Sequence, residues 1–80
     1  MNVQLIQGQF SSNDAIDIIT KMIHIKIKYH ENSINNSNNE EDTKNREAKI
    51  KRLQKDLFDI RKHITSKGSK INILANLDIE

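Results

Sequence analysis

The sequence contains no cysteine, which excludes disulfide staples, cysteine nucleophiles and thiolate metal sites. It has only two glycines, Gly8 and Gly68, and neither belongs to a loop that could cradle phosphate. No apolar run approaches the roughly 20 residues needed to span a bilayer. Residues 1–10 lack the basic start, long apolar stretch and small-residue cleavage site of a secretory signal. Charge of one sign is scarce too: 13 basic against 11 acidic side chains leave +2, too little to indicate nucleic acid or an anionic membrane by itself. With no nucleophile motif present, these absences predict a cytoplasmic, non-catalytic protein without cofactor, metal or membrane attachment.

What remains is one small domain spanning residues 1–80. Leu, Ile, Val and Phe supply 22 of the 80 residues, above the roughly one-fifth below which charged chains usually stay disordered. The abundance of Ile, Asn and Lys, all with A/T-rich codons, is read as genomic bias.

The order of elements follows from local pattern. Val3 to Gln7 is too short for a stable helix and reads as a strand, with the alternation broken by adjacent Leu5 and Ile6. Ser11 then has the form of an N-cap, with Asp14 as capping-box partner and Phe10 stapled over Ala15. Residues 23–29 alternate like a strand, but a helical wheel gathers the apolar side chains of residues 14–34 into an arc of about 200°. A helix is therefore expected there. Asp17, Thr20, Lys21, His24, Lys28 and Glu31 fall on its polar side, and Lys26 is the one charge inside the apolar arc. Lys26 splits that arc into two stripes: Ile18, Met22, Ile25 and Tyr29 form one, and Ile16, Ile19, Ile23, Ile27 and Ile34 form the other. Two stripes require two neighbours, a second helix and a β-ribbon.

The Asn-rich run of residues 31–39 gives nothing to bury and predicts a chain reversal. Ser37 with Glu40 is a second capping-box candidate, and Glu40, Glu41 and Asp42 suit a helix N-terminus. Beyond it, Ile50, Leu53, Leu57, Ile60 and Ile64 keep a heptad spacing. Gly68 suits the left-handed position that ends such a helix. Residues 70–79 alternate almost without exception, the mark of a strand with one buried face. The fold class is α+β, in the order β-α-α-β. Helices of about 34 Å and strands of about 33 Å match in length, so a two-stranded antiparallel ribbon can pack along a two-helix hairpin.

Residues that could carry function are few. His24 and His30 lie about 120° apart on a helix and cannot share one metal ion; with His63 they read as surface or half-buried side chains. Lys44, Lys51, Lys55 and Lys62 fall on one side of the second helix and could track a phosphate backbone. Neighbouring acids and the lack of aromatic interleaving favour a solvated charged face, so nucleic-acid binding is only the alternative. A domain this small usually needs a staple, and with disulfides excluded, self-association is the remaining one. A homodimer that engages an unknown protein partner is the leading expectation, with Lys26, Phe58, Ile73 and Leu74 as candidate interaction residues.

Overall fold

A computed structural model describes residues 1–80. The elements are β1 (Asn2–Phe10), α1 (Ser12–Asn35), α2 (Glu40–Lys67) and β2 (Ile71–Asp78). The two strands pair antiparallel and the two helices form a hairpin, which is the expected β-α-α-β architecture.

Local chemistry accounts for the helix boundaries. The Ser11 hydroxyl accepts from the Asp14 amide at 3.1 Å and so starts α1. The doubtful residues 23–29 are helical throughout, because the wheel pattern and the cap outweigh the short-range alternation. The start of α2 corrects one expectation: its cap is Asn39, not Ser37. The Asn39 side chain accepts from the amides of Glu41 and Asp42, while Ser37 closes the preceding turn by accepting from the Asn39 amide. Asn caps as well as Ser does, and it stands next to the first helical residue. At the other end Gly68 caps α2 with φ of 98°, a conformation that a Cβ disfavours. The Ser12 hydroxyl donates to the Gly68 carbonyl, tying the start of α1 to the end of α2.

β1 is longer at both ends than its apolar core suggests, and it carries a bulge between Gln4 and Ile6. The bulge resolves the broken alternation at Leu5 and Ile6. With Leu5 as the extra residue, Ile6 pairs with Ala75 and Val3 pairs with Leu77, so both stay on one face of the ribbon.

The ribbon meets the hairpin at one end. Ala15, Ile64 and Ile71 are the buried apolar residues, packed with Phe10, Ile16, Ile19, Ile60 and Ile73. Beyond this cluster the ribbon projects, and the molecule measures 45 × 32 × 13 Å. The stripe of Ile16, Ile19, Ile23, Ile27 and Ile34 is half-buried at the helix–helix seam with Ile50, Leu53, Leu57, Ile60 and Ile64. The stripe of Met22, Ile25 and Tyr29 is exposed, Ile25 at 71%. The ribbon does not cover it, because β1 and β2 touch α1 only around its first turns. Thr20 corrects the wheel in the same way: it is half-buried, and its hydroxyl oxygen is enclosed with no hydrogen-bond partner.

Candidate functional site

Antiparallel packing of the helices brings Lys26 and His30 of α1 beside Lys49, Arg52, Leu53 and Asp56 of α2. Four residues separate the α1 pair, and three or four separate the polar members of the α2 set, so each group occupies one side of its helix. Together they line a cleft of about 480 Å³.

His30 is the one buried polar residue of the chain. Arg46 approaches it from α2, with Nη1 3.1 Å from His30 Nδ1. A guanidinium can only donate, so Nδ1 accepts, and the proton of the neutral ring sits on Nε2. Arg46 is itself held by Asp42, whose carboxylate accepts from Nε at 3.2 Å. Its guanidinium also lies 5.7 Å from the centroid of the Tyr29 ring, within cation–π range. The Tyr29 and His30 rings meet edge-on at 5.4 Å. Burial, followed by the positive charge of Arg46, Lys49 and Lys26, holds His30 below its ordinary titration range.

The charges around the cleft are unevenly paired. Lys21, Arg46 and Lys55 each bridge to an aspartate four residues away. Lys26, Lys49 and Arg52 make no such bridge, although Asp56 follows Arg52 by four residues and lines the same cleft.

The residues singled out from sequence are dispersed. Lys26 is exposed at the cleft. Phe58 is 66% exposed on α2, beside Arg61, Lys62, Thr65 and Ser66. Ile73 is half-buried against the core cluster, and its neighbour Leu74 is 64% exposed. Lys44, Lys51, Lys55 and Lys62 are all exposed, with Lys55 bonded to Asp59 at 3.1 Å. The stripe lies about 160° around α2 from its apolar seam, on the side turned away from α1. His24 and His63 are exposed, and no three His, Asp or Glu side chains come together as a metal site would require. No helix is long and apolar enough to cross a membrane.

Sequence reasoning found Lys26 but missed Lys49, Arg52 and the bond from Arg46 to His30. A signal for the first two existed, since both flank the heptad seam on one side. No protein-family model matches the chain, and no curated protein or solved structure is detectably similar to it.

Proposed function

We propose that the chain is a non-catalytic protein–protein interaction module that works as a cytoplasmic homodimer. The observation that carries this reading is surface. A folded monomer of 9.3 kDa is expected to expose roughly 5,000 Å², whereas this chain exposes 6457 Å². The excess, on the order of 1,500 Å², is larger than the roughly 800 Å² that each partner hides in a standard interface. Large apolar side chains contribute to it, with Met22, Ile25, Tyr29, Phe58, Leu74 and Leu77 all exposed. A second copy brings the same excess, and two such copies covering one another reduce both.

The ribbon is the favoured seam. It has two strands only, so β1 and β2 each keep one unpaired edge, and Leu74 stands exposed on β2. The lysine stripe carries the alternative, weak nucleic-acid binding, less well, because Lys55 is engaged by Asp59. Sedimentation equilibrium at concentrations on the order of tens of micromolar tests the proposal, with a dimer expected. Leu74→Arg, at an exposed position, should weaken the dimer without disturbing the protomer fold, whereas Ile73→Pro removes a donor that faces β1 and so tests the ribbon itself. A folded monomer at that concentration overturns the reading.

A further inference from the structure

We propose that the cleft formed by Lys26, Lys49 and Arg52 between α1 and α2 binds a small phosphorylated compound through its phosphate oxygens. This goes beyond the interaction reading and, of that reading's candidate residues, uses Lys26 alone.

Three observations converge. The first is the source of the charge: one cation comes from α1 and two from α2, so packing of the hairpin, not sequence adjacency, collects them. The second is that they are unpaired. Three acids at helical spacing do form bridges, at Lys21 with Asp17, Arg46 with Asp42 and Lys55 with Asp59, while Glu40 with Lys44 and Glu47 with Lys51 on the outer face of α2 do not. In the cleft the single acid, Asp56, bridges to none of the three. Like charges held together in this way repel one another, and an anion between them relieves that repulsion.

The third observation is the wall. His30 sits there as a neutral ring whose Nδ1 is occupied by Arg46, which leaves Nε2–H as its one remaining donor. Arg46 adds a further positive charge behind it, already satisfied by Asp42 and so not in need of a ligand. Arg52 supplies the planar fork that matches phosphate oxygens two at a time, while Lys26 and Lys49 supply point charges on flexible stems. The cleft is far larger than one oxyanion and has a single apolar wall residue, Leu53. Those dimensions suit two linked phosphates or one phosphate on a small polar carrier.

Inorganic pyrophosphate is the probe, titrated into the isotopically labelled full chain at constant ionic strength and followed through backbone amide shifts. The expected result is saturation at about 1 mM or below, with the largest shifts at Lys26, His30, Lys49 and Arg52. Arg52→Gln and Lys49→Gln, both at exposed positions, should each weaken binding by about tenfold. Lys51→Gln, on the outer side of α2, should leave it unchanged. Shifts that grow without saturation overturn the proposal, as does equal weakening by Lys51→Gln, which marks a diffuse ion atmosphere. A parallel titration with a short single-stranded oligonucleotide separates the sources. If the oligonucleotide binds through Lys44, Lys51 and Lys62 while pyrophosphate leaves the cleft residues unmoved, the cleft is not a phosphate site. The titration reads the cleft whether the protein is monomer or dimer, so failure here and failure of self-association are separate results.

Discussion

Arg46 and His30, sixteen residues apart in the chain, join the two helices through a 3.1 Å contact in which the arginine donates to Nδ1 of the buried ring. The bond requires the neutral imidazole, because a protonated ring has no lone pair at Nδ1 to accept with.

Stability therefore depends on pH. His30 titrates below its ordinary value of 6.5 in the folded chain, first through burial and then through Arg46, Lys49 and Lys26. Between that lowered value and about 6.5 the unfolded chain carries the extra proton, so stability rises with pH across the window. Acidification through the same window removes it, and the loss stops once the pH falls below the folded value. Urea unfolding at about pH 7.5 and about pH 5.5 should give a lower midpoint at the acid end. His30→Gln, which keeps an acceptor for Arg46 but does not titrate, should flatten that difference. An equal dependence in both proteins would assign it to other groups.

Thr20 carries an enclosed hydroxyl with no partner, at a half-buried position of the seam. Removing an unsatisfied polar atom while keeping the side-chain shape is stabilising, so Thr20→Val should add about 1 kcal/mol. In a domain of this size the thermal midpoint should rise by about 4–8 °C. A fall would show that the hydroxyl is bonded in solution.

Ile64 is 3% exposed and packs with Ala15 and Ile71 where helices and ribbon meet. Ile64→Ala should cost about 2–5 kcal/mol, enough to leave much of a domain this small unfolded. Ile25→Ala, on the open stripe of α1, should cost less than about 0.5 kcal/mol in the monomer. Circular dichroism during denaturant titration distinguishes the two, and similar costs would mean that the stripe is covered in solution.

Most of the architecture was legible because its signals are local. The Ser11 cap, the heptad of α2, Gly68 and the alternation of β2 each depend on a few adjacent residues. The Leu5–Ile6 irregularity was visible too, but that it marks a bulge needed the partner strand. Features set by how the helices rotate against each other were not legible. Thr20 is half-buried and the Met22 stripe is left open because α2 takes the side of α1 centred on Ile16, Ile23 and Ile27. The cleft depends on the same rotation combined with the register of the hairpin. Lys26 stood out from the apolar arc, but the residues facing it lie more than twenty positions away along the chain.

Met1 and Ile79 exchange two hydrogen bonds of 2.7 Å at the far end of the ribbon, so both ends of the chain leave the molecule side by side. A force that draws those ends apart loads the ribbon at its tip and meets its hydrogen bonds one after another, not all at once. The strands should peel like a zipper at low force, down to the cluster of Phe10, Ala15, Ile64 and Ile71. Anything tethered to the two ends would thus feel a compliant arm before it felt the rigid helical hairpin.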